Sequence, residues 1–296
     1  MTITEAELTS LTYGCELEYE GISQERAARV VAEVTGGTAR YEGYHLHNWT
    51  VTQPDGRKWQ VVSDGSLCGT SAEVVTPIMT YADMETLQQV VRAMRKARAK
   101  VNSRTGLHVH VGAQGMSPTQ IKNLVKIFYK QETLILKATG TQQSRIDTYT
   151  RKTDLRFVDR ICAMRSPTME KLADAYYTGY SDRHSHYSRA RYHALNLHNL
   201  WNGGKGTVEF RYHEQSLHAG VIRAAVLIDL LMVLKAKSAK AASAKNPRPY
   251  SEASAKYDFR VFLLRLGANG ATFKTMRKHL CKNLPGSAAW KNGRQD

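Results

Sequence analysis

The stretch that decides the fold is YGCELEYEG, residues 13–21, in which Glu16 and Glu18 stand two residues apart inside an apolar run. Residues i and i+2 of a β-strand point to the same face of a sheet, so this run predicts a strand that presents two carboxylates on one side. Leu17, between them, is then expected to face the core. The alternative is a solvent-facing polar strand edge.

Two further runs repeat the pattern. TGLHVHVGA pairs His108 with His110, and GTVEFRYHE pairs Glu209 with Arg211. Carboxylate oxygens suit a hard cation such as Mg²⁺, and the planar fork of an arginine suits phosphate or carboxylate. Three such pairs therefore predict a metal-and-phosphate site on one sheet face. Structural histidines and a simple ion pair remain the plainer readings of the second and third pairs.

Other polar residues fall in apolar surroundings. Asp64 lies in SDGSL, where Asp-Gly is also an ordinary turn signal. Glu73 lies in the apolar run EVVTP, and a charged residue there is expected to have a metal or a basic partner. Arg191, Asn196 and Asn199 are expected to line the same cleft.

The remaining chain alternates strand-like and helical patterns. Strands are predicted at residues 11–20, 44–52, 58–62, 72–76, 107–111, 194–200 and 207–213. Helices are predicted at residues 23–35, 82–101, 117–139, 166–179, 219–240, 252–266 and 272–280.

The arrangement of these segments predicts the fold class. Turn signals at 54–56 and 202–204 join neighbouring strands into hairpins, and the segment 140–165 is basic and loop-like. Strands in hairpin pairs with inserted helices indicate an α+β fold, with a largely antiparallel sheet and helices packed on one face. A linker at 241–249 divides a catalytic domain, residues 1–242, from a C-terminal helical extension, residues 250–296.

Composition narrows the class of protein. The chain has 296 residues and four scattered cysteines without a C-x-x-C pair, which favours reduced thiols and a cytoplasmic location. No apolar run is long enough to span a membrane, and the N-terminus lacks the pattern of a signal peptide. The net charge of +16 fits a nucleic-acid partner, an anionic small substrate, or only a basic, well-solvated surface.

Taken in order, YGCELEYEG, SDGSL with EVVTP, TGLHVHVG, and RYHALNLHNL leading into GTVEFRYHE resemble the amidoligase family. This family is a branch of the carboxylate–amine ligase group, which includes γ-glutamylcysteine ligases and, more distantly, glutamine synthetases. The resemblance implies a glutamine-synthetase/γ-glutamylcysteine-ligase-like catalytic fold. It also implies a ligase that uses ATP and Mg²⁺, with Mn²⁺ as an alternative ion, to join a carboxylate to an amine through an acyl phosphate.

The resemblance also implies roles for individual residues. The metal ligands would be Glu16, Glu18, Glu73, His108 and Glu209. The nucleotide would contact His108, His110 and Arg211. The catalytic residues would be Arg211, Arg191 and Asp64. The chain has no Walker-type phosphate loop, so ATP is expected to bind in a cleft of the sheet.

Two other functions remain open at this stage. A zinc-dependent hydrolase would use His108, His110 and a carboxylate as ligands. A nucleic-acid-binding protein would use the basic stretches 92–104 and 145–165, and this is compatible with a ligase that modifies a polyanionic substrate. The sequence does not identify the amine or the carboxylate, which could belong to a peptide or another macromolecule, and a homo-oligomer is compatible with it.

Overall fold

The computed structural model describes residues 3–43, 48–201, 204–244 and 249–291, and within them one antiparallel sheet dominates. Its strands are β1 (Tyr13–Glu20), β2 (Thr38–Tyr41), β3 (Trp49–Thr52), β4 (Lys58–Val62), β5 (Ser71–Val75), β6 (Gly106–Gly112), β7 (Leu195–Asn196) and β8 (Thr207–Glu214). They lie in the order β2-β3-β4-β5-β1-β6-β8-β7, and each neighbouring pair is antiparallel. β1 and β6 are therefore neighbouring interior strands of the sheet.

Helices fill the intervals between the strands and the end of the described chain. They are α1 (Glu5–Thr9), α2 (Gln24–Thr35), α3 (Met84–Lys96), α4 (Pro118–Thr139), α5 (Gln143–Thr148), α6 (Leu155–Ala163), α7 (Met169–Tyr176), α8 (His198–Trp201), α9 (Ala219–Ser238), α10 (Ala255–Arg265) and α11 (Lys274–Cys281). The α+β class and the antiparallel sheet are confirmed. Among the described residues, no helix combines the length and the apolarity needed to cross a membrane.

The long helix α4 illustrates how local sequence sets the boundaries. The Ser117 hydroxyl accepts the backbone N–H of Gln120, and the Gln120 side chain accepts the backbone N–H of Ser117, which closes a capping box. Pro118 occupies the first turn, where its missing N–H costs nothing. Gly140 ends the helix at φ 75°, a left-handed conformation that glycine adopts without strain.

The helices pack against one face of the sheet. Along β1, Cys15, Leu17 and Tyr19 are fully buried and alternate with the two glutamates. Helices α2, α4 and α9 contact the strands, and α3 packs on α2 and α9. The core therefore lies on the Leu17 side, as predicted, and the opposite face remains available for polar side chains.

One charged residue lies inside this core. Asp229 of α9 has no exposed surface, and it accepts hydrogen bonds from the Tyr212 hydroxyl (2.6 Å) and the His213 imidazole (Nε2, 2.8 Å). The pairing of β6 with β8 shifts register between Leu107 and Val109, which is a β-bulge. The bulge places two consecutive residues of β8 on the helix side, where both reach the same carboxylate.

Some local predictions were wrong. The predicted strand 194–200 is only two residues long, because the Asn196 side chain accepts the His198 backbone N–H and α8 begins there. The segment 140–165 is not a loop but contains α5 and α6, the latter capped by Asp154. Strand β2 and helix α1 were not predicted.

Several predicted features lie outside the described residues or remain untested. Residues 44–47 of a predicted strand, 202–203 of a predicted turn, 245–248 of the predicted linker and the terminal residues 292–296 are outside. The helices of the C-terminal extension, α10 and α11, both contact α4, and α11 also packs on α9. The division into two domains and the likeness to glutamine synthetase stay predictions.

Candidate active site on the open sheet face

The predicted reactive side chains line the sheet face opposite the helices. Antiparallel register places residues of adjacent strands opposite one another, so a single row crosses five strands. From β5 to β7 the row consists of Glu73, Glu18, Glu16, His108, His110, Glu209 and Asn196. Arg211, the other member of the third pair, donates a hydrogen bond to Glu209. The structure therefore brings the three sequence pairs together at one place.

Glu16, His110 and Glu209 form one group, here called the histidine group, whose ligand atoms lie within 4.8 Å of one another. His110 Nε2 lies 3.1 Å from a Glu16 oxygen and 4.0 Å from a Glu209 oxygen. Burial opposes ionisation of Glu16, but the neighbouring imidazoles outweigh it and hold the pKa of Glu16 well below its ordinary value. Two anionic oxygens and one imidazole nitrogen are a fitting set for a divalent cation.

Glu18, Asp64 and Glu73 form a second group, here called the carboxylate group, again with ligand atoms within 4.8 Å. Burial, followed by the charges of Glu16, Glu18 and Asp64, raises the pKa of Glu73 to about 9. Like charges this close cannot all remain ionised without a cation between them. The donor set, three carboxylates and no soft ligand, fits Mg²⁺ or Mn²⁺.

The groups differ in how their carboxylates are fixed. Arg211 donates a hydrogen bond to one oxygen of Glu209, and the Asn196 side-chain amide donates to the other at 2.7 Å. Because the Asn196 oxygen accepts the backbone N–H of His198, the orientation of the amide is settled and its nitrogen must face Glu209. In the carboxylate group, Glu18 accepts the backbone N–H of Gly106 at 2.6 Å.

His108 lies between the groups and belongs to neither. Its Nδ1 lies 3.0 Å from a Glu16 oxygen, and its Nε2 lies 3.6 Å from Glu18 and 3.2 Å from an amino group of Arg145. Its assignment as a metal ligand stays a prediction.

Two cavities open on either side of the row. The first, here called the lysine cavity, has a volume of about 570 Å³ and reaches Glu16 and His110 at its base. Its lining includes three cationic side chains, Lys58, Lys205 and Lys237. Apolar residues such as Leu11, Val75 and Ile78 complete it.

The second, here called the arginine cavity, has a volume of about 300 Å³ and reaches Glu18, Asp64 and His108. Its basic lining consists of Arg104, Arg145, Arg191 and Arg211, with Tyr149, Tyr187 and Tyr192 beside them. The Arg191 guanidinium lies about 6 Å from the ring centres of Tyr187 and Tyr192, within the range of cation–π contacts. Arg191 and Asp64, predicted catalytic residues, thus share a cavity with Arg211.

Part of the basic stretch 145–165 is engaged within the fold. Arg145 is buried, Arg151 donates to the carbonyls of Arg189 and Tyr192, and Arg156 pairs with Asp154. Arg160 and Arg165 of the same stretch are exposed, so nucleic-acid binding by this stretch stays a prediction. The basic side chains of the stretch 92–104 are exposed as well.

The sequence did not predict that Arg145 lies in the arginine cavity beside His108. The available signal was Gly106 at the start of the histidine strand, because a strand glycine marks a place where another group approaches closely. The partner that approaches, however, comes from a helix remote in sequence, so no local pattern could name it.

The comparison with protein families agrees with this geometry. A family model described as "Putative amidoligase enzyme" matches residues 9–232. The chain belongs to the amidoligase family. The match contains both ligand groups and all of the sheet, and it ends within α9, so the helices α10 and α11 lie outside the amidoligase region. A search of curated proteins found no match.

Proposed function

We propose that this amidoligase is an ATP- and Mg²⁺-dependent enzyme that joins a carboxylate to an amine through an acyl phosphate. The observation that carries the proposal is the position of two acidic ligand groups side by side, each at the base of its own cationic cavity. Phosphoryl transfer needs positioning and charge neutralisation more than covalent chemistry from the protein. This arrangement supports both requirements.

Two Mg²⁺ ions would be held by the histidine group and the carboxylate group. When bound, they would neutralise phosphate charge and orient the reacting oxygens. A cation between Glu18, Asp64 and Glu73 would also relieve the repulsion that, after burial, raises the pKa of Glu73. A bound cation would therefore explain why the fold places these mutually repelling carboxylates side by side.

The lysine cavity is the proposed nucleotide site. Its volume of about 570 Å³ is in the range of small-molecule and cofactor pockets. The lysines would bind the triphosphate, and Leu11, Val75 and Ile78 would contact the base. His110, at the base of the cavity, would then meet the phosphates, in keeping with its predicted place at the nucleotide.

The arginine cavity is the proposed site of the carboxylate and the amine. A substrate carboxylate oxygen attacks the γ-phosphorus, the bond to the bridging oxygen of ADP breaks, and ADP leaves. The amine nitrogen then attacks the acyl carbon, phosphate leaves with the electrons of the C–O bond, and the amine proton passes to a carboxylate. Arg211 would stabilise the transferred phosphoryl group, and half-buried Asp64 is the accessible proton acceptor in this cavity.

The geometry favours this reaction over zinc-dependent hydrolysis. Neither three-ligand group found in the described part of the chain contains both histidines. His108 instead lies between a Glu16 oxygen and Arg145. A hydrolase would also leave the carboxylate group without a role.

A hydroxylamine trap tests the proposal. With ATP, Mg²⁺ and a panel of carboxylates, the wild type should release ADP and form hydroxamate in equal amounts, because hydroxylamine captures an acyl phosphate as an amine would. E16Q and E209Q should lose this activity, whereas E20Q should keep it, since Glu20 lies on the same strand but pairs with Asn102 instead. Turnover by a folded E16Q/E209Q double variant would exclude the assignment.

A further inference from the structure

Arg145 is a buried cation that neither the sequence pattern nor the proposed reaction has assigned. It lies on α5, outside the sheet, yet its side chain lines the arginine cavity and only 2% of its surface is exposed. One amino group lies 3.2 Å from His108 Nε2 and 3.5 Å from the Arg211 carbonyl oxygen. Neither contact is to a carboxylate, and the charges of Glu18 and Glu214 act on Arg145 only from a longer distance.

No ion pair within 4.0 Å joins Arg145 to a carboxylate of the described residues, in contrast to Arg211, which pairs with Glu209. The Nε–H of Arg145 is buried and has no acceptor there either. Burial of a guanidinium without a hydrogen-bonded anion is costly, and natural sites of this kind are balanced by a partner. An anionic group of a substrate bound in the cavity would supply that partner.

The β6 strand is shaped to admit this guanidinium. A Cβ atom at Gly106 would lie 1.8 Å from one Arg145 amino group and 2.5 Å from its central carbon. Gly106 does not have a positive φ, so the backbone conformation does not require glycine there. Glycine at this position therefore leaves the space that the Arg145 guanidinium occupies beside β6.

We infer that Arg145 and Gly106 form an oxyanion-binding subsite in the arginine cavity, which takes a carboxylate or phosphate group of a substrate. The inference rests on the proposed function for the identity of the substrates, but not for the chemistry of the subsite. A guanidinium binds planar or tetrahedral oxyanions through paired N–H donors. Two sources of such an anion occur in the proposed reaction, the reacting carboxylate and the transferred phosphoryl group.

Anion binding without turnover tests the subsite. Ligand-observed NMR measures the dissociation constants of inorganic phosphate and of acetate, each with Mg²⁺ and without nucleotide. R145Q and G106A should weaken binding of one anion at least tenfold, and the affected anion identifies the source. R160Q is the matched control, because Arg160 is an exposed residue of the same basic stretch and should bind both anions as the wild type does.

A double-variant comparison separates a local effect from general damage. G106A acts through displacement of the same guanidinium, so the R145Q/G106A double variant should bind the anion no more weakly than R145Q alone. The Mg²⁺ dissociation constant should stay within twofold of wild type in all of these proteins. Circular dichroism checks folding, and R145K replaces R145Q if that variant does not fold, since it keeps the charge but loses the fork.

Unchanged affinity for both anions in folded R145Q or R145K would overturn the inference, as would wild-type protein that binds neither anion. An additive loss in the double variant would also contradict it. Failure of the ligase proposal has a different signature, in which the wild type forms no hydroxamate while anion binding still depends on Arg145.

Discussion

Replacement of Glu132 by glutamine should stabilise this protein at neutral and alkaline pH. Glu132 lies on α4 with 4% of its surface exposed, and one of its oxygens accepts both the backbone N–H and the hydroxyl of Thr153, at 2.8 and 2.9 Å. Burial raises the pKa of Glu132 to about 7 although these hydrogen bonds lower it. A glutamine oxygen can accept the same two hydrogen bonds without a charge.

The direction in which pH changes the free energy of unfolding follows from proton linkage. The pKa of Glu132 is higher in the folded state, about 7, than its ordinary value of 4.5, so the folded protein binds more protons between these values. The free energy of unfolding therefore falls as pH rises through this window, and the loss is complete above pH 7. At about 1.4 kcal/mol per pKa unit, the shift corresponds to about 3 kcal/mol.

Urea denaturation at several pH values between about pH 4 and pH 8.5 measures the effect. E132Q should match the wild type in acid and exceed it by about 3 kcal/mol at pH 8.5. E170Q serves as the control, because Glu170 is exposed in the first turn of α7 and should leave the pH profile unchanged. A constant difference between E132Q and wild type across the range would refute the reasoning, since only a titrating carboxyl gives a difference that grows with pH.

The other predictions concern the two ligand groups and the core. Mg²⁺ binding at pH 7 should release close to one proton, because a pKa of about 9 keeps Glu73 protonated without metal. Calorimetry in two buffers with different ionisation heats measures the proton release, and E73Q should abolish it. Buffer-independent heats in the wild type would contradict it. N196A should weaken metal binding about 10- to 100-fold, because Glu209 loses the donor that fixes one of its oxygens. Electron paramagnetic resonance measures the Mn²⁺ affinity, and the same affinity in N196A and wild type would exclude a role of Asn196 in orienting Glu209. D229A should lower the free energy of unfolding by about 3 kcal/mol or more, because two buried donors lose their acceptor; a change below about 1 kcal/mol in urea denaturation would contradict this.

The composition of the site could be read from the sequence because strand alternation is a local property. The spacing of Glu16 with Glu18 and of His108 with His110 fixes which side chains share a face, whatever the strands pair with. The register between strands is not local. It decides that Glu18 lies opposite Glu73 and that His110 lies opposite Glu209, and so it decides which residues can share a cation.

Alternation also failed where tertiary contacts override it. A regular strand would place Arg211 and His213 on the same face, but the bulge in β8 turns His213 toward Asp229 beneath the sheet. The buried carboxylate of Asp229 stabilises the bulge, because it accepts hydrogen bonds from Tyr212 and His213, which the core would otherwise leave unpaired. Such a partner is set by packing of a distant helix and leaves no periodic trace in the strand.

The contact with Arg145 shows how the fold makes two similar histidines unequal. A guanidinium has only donors, so the His108 nitrogen that lies 3.2 Å from Arg145 must accept, and the other nitrogen is then the one that donates to Glu16 at 3.0 Å. In this arrangement both nitrogens of His108 have partners within the fold, and its role as a metal ligand stays a prediction. His110 Nε2 instead faces Glu16 and Glu209 within the histidine group. The two histidines of the H-x-H motif therefore have different surroundings: His108 is held between Glu16 and Arg145, and His110 lies within the histidine group.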